Sequence, residues 1–112
     1  MTSRLYPPRQ VEMLVTIYMD GLPFAMCVAE KASLSGMTIR LSPWALYPDS
    51  ISEVEFTRET EHGTERHRVP VSLAGTKGNH ARLLFKPMAP EALNALRRLL
   101  YRPDADDATR TG

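Results

Sequence analysis

Six short segments of this chain alternate apolar residues with other residues at a period of two, and only one stretch carries a helical period. Val11, Met13, Val15, Ile17 and Met19 form the first such series. Phe24, Met26 and Val28 alternate with Ala25, Cys27 and Ala29 in the second. Met37, Ile39 and Leu41 point one way in the third, with Thr38 and Arg40 opposite. Val54 and Phe56, then Val69, Val71 and Leu73, then Ala81, Leu83 and Phe85 complete the set. A strand turns successive side chains to opposite faces, so each series predicts a half-buried strand. The chain therefore has to bury one face of a sheet, and a mainly β fold follows.

The helical stretch comes last. Pro90 suits the first helical position, and Glu91 suits the positive end of the helix dipole. Leu93, Leu96 and Leu100 share a face, joined by Ala92 and Leu99, and Pro103 marks the stop. So short a helix is unstable alone in water and has to dock on the sheet. The predicted architecture is a small six-stranded antiparallel barrel with one C-terminal helix.

The segments between strands read as turns. Gly21 separates the first two series, which suggests a hairpin. Ser33-Leu34-Ser35-Gly36 is a tight polar turn that runs into the third strand. Serine hydroxyls bond nearby backbone, and glycine takes a positive φ without strain. Residues 42–50 form a loop in which Trp44 suits a core cap. Glu59 to Arg68 reads as a charged hairpin tip, and Ala74 to Asn79 as a Gly-containing turn. Pro70 predicts an edge or a bulge, because proline donates no ladder hydrogen bond. Residues 1–10, with Arg4 and Arg9 around Pro7-Pro8, read as an extended arm, residues 11–101 as one domain, and residues 102–112 as a disordered tail.

Charge and composition narrow the function. The chain has 112 residues and a formal net charge of +1, whereas non-specific nucleic-acid binding needs a clear basic excess. No apolar run is long enough to cross a bilayer, and the N-terminus lacks the apolar core of a signal peptide. With Cys27 as its single cysteine, the chain forms no internal disulfide. The expectation is a soluble cytoplasmic protein. Cys27 has no basic neighbour in sequence to make a thiolate, so it reads as a structural thiol.

No motif points to catalysis. Glu61, His62, Glu65 and His67 lie close together, but without the i, i+4 histidine pair of a zinc protease helix. There is no nucleophile elbow, and no Gly-rich phosphate loop precedes a helix. The sequence predicts a binding module, with no catalytic residues, no metal site and no cofactor.

The order of arm, Ser-x-x-Gly turn, closing strand and helix resembles the PilZ domain, the bacterial receptor module for cyclic di-GMP. The resemblance runs from about Arg9 to Tyr101. That family's signature is Arg-x-x-x-Arg before the first strand and Asp/Asn-x-Ser-x-x-Gly later. Ser33 and Gly36 match the second motif, and Arg9 matches the second arginine of the first. The first arginine is expected at Leu5, while Arg4 stands one position early; the Asp/Asn position holds Lys31. The ending Leu99-Leu100-Tyr101-Arg102-Pro103-Asp104 also looks like the ends of PilZ domains fused to cellulose synthases.

What the resemblance implies is a six-stranded barrel followed by a helix, with Arg4, Arg9, Lys31, Ser33 and Gly36 as the candidate site for cyclic di-GMP. Arginine offers a planar fork of donors to phosphate or to guanine O6 and N7. Guanine's N1–H and N2–H₂ edge wants an acceptor, and lysine has none. The first expectation is therefore a non-enzymatic, PilZ-like regulatory module that acts through protein contacts, with nucleotide binding weak or lost. A second reading is a working cyclic di-GMP receptor that uses Arg4, Arg9 and the Ser33–Gly36 turn. A third is an unrelated small β-barrel that binds protein or nucleic acid, against which the near-neutral charge and few aromatics count.

Overall fold

The computed structural model describes residues 8–40 and 50–101. Six strands precede one helix: β1 (Arg9–Met19), β2 (Leu22–Ala32), β3 (Gly36–Arg40), β4 (Ile51–Thr60), β5 (Gly63–Lys77), β6 (His80–Phe85) and α1 (Pro90–Tyr101). All pairings are antiparallel, and the sheet closes in the order β1-β2-β3-β6-β5-β4, with β4 bonded back to β1. Closure pairs every strand with two neighbours, while Phe56–Thr60 of β4 and Gly63–Pro70 of β5 extend beyond it as a hairpin paired only within itself.

The period-two series become the barrel interior. Val15, Ile17, Ile39, Val54, Phe56, Val69, Val71 and Leu83 are all at most 2% exposed. In β2 the inward face is the small one, Cys27 and Ala29, and the bulky face points out, with Phe24 51% and Met26 60% exposed. A narrow barrel explains the choice, since the opposing strands already fill the interior with Ile, Val and Phe. Burial pushes the Cys27 thiol up to about 11, so it stays protonated and inert at neutral pH.

The hairpins follow local backbone chemistry. Met19 pairs with Leu22 across Asp20-Gly21, and both loop residues have positive φ (53° and 80°). That is the type I′ pattern, whose twist matches the strands it joins and which favours Asp-Gly.

Two turns are shorter than the sequence predicted. The charged stretch from Glu59 to Arg68 is paired strand on both sides of Glu61-His62, with Arg58 opposite Glu65 and Glu59 opposite Thr64. Likewise β5 runs on to Lys77, and only Gly78-Asn79 turns the chain. Long antiparallel ladders override the local turn signals because each added residue pairs its backbone groups. Pro70 is not in a bulge, but it ends a stretch of β5 that pairs with β4 alone, so its nitrogen falls on a locally open edge as expected. It is the last β5 residue paired with β4, its carbonyl accepts from Lys86 N–H at 2.8 Å, and β5–β6 pairing starts at Val71. The missing N–H thus falls where pairing changes partner.

The helix docks as its apolar stripe requires. Ala92, Ala95, Leu96 and Leu100 are buried in the same cluster as the barrel core, and the helix lies closest to β5. Its first turn is opened by the Leu93 N–H bonding the Ala89 carbonyl at 3.1 Å. Leu96 is fully buried (0% exposed). Leu96→Ala is expected to cost about 2–5 kcal/mol, read as a lower urea midpoint with an unchanged slope. An unchanged midpoint would mean that the helix adds nothing to the core.

Candidate functional site

The turn between β2 and β3 is held by its own side chains. Ser33 N–H donates to the Gly36 carbonyl at 2.9 Å, and Ser35 N–H donates to the Ser33 hydroxyl at 3.2 Å. The two serine hydroxyls bond each other at 2.9 Å, and the Ser35 carbonyl accepts from Phe85 N–H at 2.9 Å. Ser33 is thus a buried turn brace.

Gly36 is needed for a different reason from the one its turn suggested. It lies outside the positive-φ residues. A Cβ built on it would stand 2.2 Å from the Leu83 carbonyl oxygen. Its value is close approach of β3 to β6, where it pairs with Leu84.

The decisive local feature is a β-bulge at Glu30. Ala29 pairs with Ile39 and Lys31 with Thr38, so Glu30 is the extra residue. Strict alternation would send Lys31 into the core beside Ala29. The bulge instead leaves Glu30 partly exposed and Lys31 exposed, and returns Ala32 to the interior. A second shift lies on β5 at Ala74, between Leu73 opposite Leu83 and Gly75 opposite Arg82.

These devices build two adjoining open grooves on the outer wall. One, of about 560 Å³, is walled by Lys31, Ser33, Gly36, Thr38 and Arg82, with Pro8 at its rim. The other, of about 660 Å³, runs over Glu30, Lys31, Thr38, Gly75, Lys77 and Arg82. Lys31, Thr38 and Arg82 are common to both.

Of the residues singled out in the sequence, Lys31, Ser33 and Gly36 meet at the first groove. Arg9 is the first residue of β1 and pairs with Ala32, which brings its backbone next to the turn. Its guanidinium lies 5.7 Å from the Tyr101 ring centroid, a cation–π contact toward the end of α1. Arg4, Leu41, Trp44 and the tail lie outside the described residues. Arg82 and Thr38 were not singled out from sequence. The available signal was Arg82 facing outward in the last strand and a charged Glu30-Lys31 pair breaking an alternating run.

Glu30 carries the strongest polar contacts here. Arg40 Nε donates to its Oε2 at 2.6 Å, a second Arg40 nitrogen bonds the same oxygen, and His80 Nε2 meets Oε1 at 2.7 Å. A carboxylate only accepts, so His80 carries its proton on Nε2. The Arg40 hydrogen bond first and the His80 bond second hold the Glu30 carboxyl below its ordinary 4.5. The charged hairpin is likewise self-paired: Glu65 Oε1 lies 3.2 Å from both His67 Nε2 and Arg58, and these bonds lower its carboxyl too. Among the described residues no three metal-ligating side chains converge.

Comparison with solved structures finds the same fold elsewhere. Bacillus subtilis inhibitor of motility (MotI/DgrA) superposes with a TM-score of 0.72 at 13% identity, over 90% of this chain. The chain spans about half of that protein, 51% of its length. The PilZ domain of CeSA from a cellulose-synthesizing bacterium superposes with a TM-score of 0.61 at 14% identity, over 87% of this chain and 97% of that domain. The chain thus resembles the PilZ domain in its closed six-stranded barrel and C-terminal helix. No family model matches the sequence, and no curated protein matches it.

Two outcomes check this geometry. Gly36→Ala is expected to destabilise by at least about 1–3 kcal/mol, the usual cost of overpacking, whereas Gly75→Ala, whose added carbon meets nothing within 4 Å, should stay within about 0.5 kcal/mol. Thermal melts of both variants compare them directly. Glu30 has a depressed folded pKa, so its contribution is complete above pH 4.5 and is lost as pH falls through the folded value. The melting temperature of wild type minus that of Glu30→Gln should therefore be largest at neutral pH and shrink in acid. A difference that grows on acidification would show that the brace does not stabilise the fold.

Proposed function

We propose that this chain is a non-enzymatic, PilZ-like regulatory module of bacterial cyclic di-GMP signalling, acting through protein contacts with nucleotide binding weak or lost. The observation that carries the reading is the pairing of a PilZ-type barrel with a groove whose Asp/Asn position is Lys31. The Ser33–Gly36 turn beside that groove is intact in both residues that match the family motif. Both also have structural duties, so their presence is compatible with a site that no longer reads guanine.

Lysine offers three donors and no acceptor to a base edge that itself donates. A missing acceptor costs about 1–3 kcal/mol, and 1.4 kcal/mol is tenfold in affinity. Calorimetry with cyclic di-GMP at physiological salt is expected to give weak or undetectable binding by the wild type and tighter binding by Lys31→Asp. A second reading, a working receptor using Arg4, Arg9 and the Ser33–Gly36 turn, is favoured by the cations Lys31 and Arg82 along the groove wall. Tight wild-type binding that Lys31→Asp weakens would establish that second reading and overturn the first.

A further inference from the structure

The outer face of the β1–β2 hairpin breaks a rule that its neighbour β4 keeps. A strand with one face on the core ordinarily turns polar residues to solvent. β4 does so, with Glu53, Glu55 and Thr57 alternating with buried Val54 and Phe56. In β2 Cys27 and Ala29 are buried, yet Met26 and Val28, which alternate with them, are apolar as well. Among the described residues, four of the five large apolar side chains that stand exposed belong to this hairpin: Leu14 (59%), Leu22 (69%), Phe24 and Met26. A narrow interior accounts for small residues pointing in. It does not call for large apolar residues pointing out.

Register joins these side chains into one strip. Leu14 lies opposite Val28, Thr16 opposite Met26, and Met19 opposite Leu22 at the turn. Directly opposed side chains stand about 5 Å apart, and the run from Val28 to Leu22 is about 20 Å long. Such a strip falls in the range, roughly 300–600 Å², of the largest apolar patch on a monomer, which is often functional.

Area and charge identify the occupant as a second copy of this chain. A standard interface covers about 800 Å² per partner and is about 56–65% non-polar, so each side brings roughly 500 Å² of apolar surface. Four large side chains, each more than half exposed, supply an area of that order. On one side the strip is flanked by β4, with Glu55 opposite Thr16 and Glu53 opposite Tyr18, two carboxylates beside the one guanidinium of Arg68. On the other side it is flanked by β3, where Arg40 follows Ile39, the partner of Ala29. Although bonded to Glu30, the Arg40 side chain is half exposed. A two-fold axis along the strands lays strip on strip and sets the carboxylate flank of each copy against the Arg40 flank of the other. Two twisted ribbons pack face to face in this aligned way.

We propose that the outer face of the β1–β2 hairpin is a self-association surface, on which two copies of this chain pair symmetrically through Leu14, Met26 and Val28. The pairing goes beyond the regulatory reading and involves no nucleotide.

The test is sedimentation equilibrium of the full chain without nucleotide, from about 1 to about 200 µM, a span that brackets a micromolar dimer. A monomer–dimer equilibrium with a micromolar or tighter Kd is expected, as for other interfaces of this size. Met26→Glu should weaken it roughly a hundredfold or more, because symmetry buries the new charge twice. Leu84→Glu, the same kind of change at an exposed apolar residue of β6, should leave it unchanged. Glu55→Lys should weaken pairing about tenfold by facing Arg40 of the second copy. A monomer at every concentration would overturn the proposal and leave the strip to a different protein or a lipid surface. A dimer that both Met26→Glu and Leu14→Glu leave intact would overturn it too, since the interface would then lie elsewhere. A dimer that Glu55→Lys strengthens would overturn the symmetric arrangement, since like flanks would then face each other. Leu14 and Met26 are mostly exposed, so their substitution leaves the core intact, and thermal melts of each variant at the lowest concentration check this.

Discussion

Closure of a six-stranded sheet is the constraint on which the rest of this structure depends. A closed barrel gives every strand two neighbours, but it encloses little space, so its lining has to mix large and small side chains. Ile17, Ile39, Phe56 and Leu83 fill the interior, and Cys27, Ala29 and Ala81 give them room. This is why β2 turns its bulky residues outward and why a thiol is kept in the core without any chemical duty. The same shortage of space makes the helix necessary, since Leu96 and Leu100 add apolar volume that the barrel alone lacks. Fully burying one leucine is worth about 1.5–3 kcal/mol, a large share of the stability of a domain this size.

Closure also decides where irregularity is tolerated. Each strand bonds two neighbours, so an extra residue can enter only as a bulge, and a bulge changes which side chains face outward. At Glu30 it puts two successive residues on the outer wall, one locked to Arg40 and His80 and the other left to face the groove. At Ala74 it sets Gly75 opposite Arg82. The grooves are therefore not holes left by poor packing. They are produced by the register of β2, β3, β6 and β5.

This explains what could be read from the chain and what could not. Period-two alternation located all six strands, and the leucine spacing located the helix, because burial of one face is a property of each segment alone. Pairing partners are not, so the length of β5 and the position of Pro70 at a change of partner were hidden. Ser33 and Gly36 were legible as a turn, but the reason for Gly36 was not. Its constraint is the Leu83 carbonyl, which is distant in sequence. Arg82 was visible as an outward residue, yet its partnership with Lys31 needs two cross-strand registers that no local pattern encodes.

The two readings of the function turn on the residue at position 31. On the proposed function a carboxylate there would accept from guanine, and the lysine that stands there has no acceptor to offer. Its cross-strand neighbours are Thr38 and, one strand further, Arg82. Glu30, held by Arg40 and His80, is kept from pairing with its own neighbour. The Glu30 brace and the outward position of Lys31 are therefore both set by a single extra residue in β2.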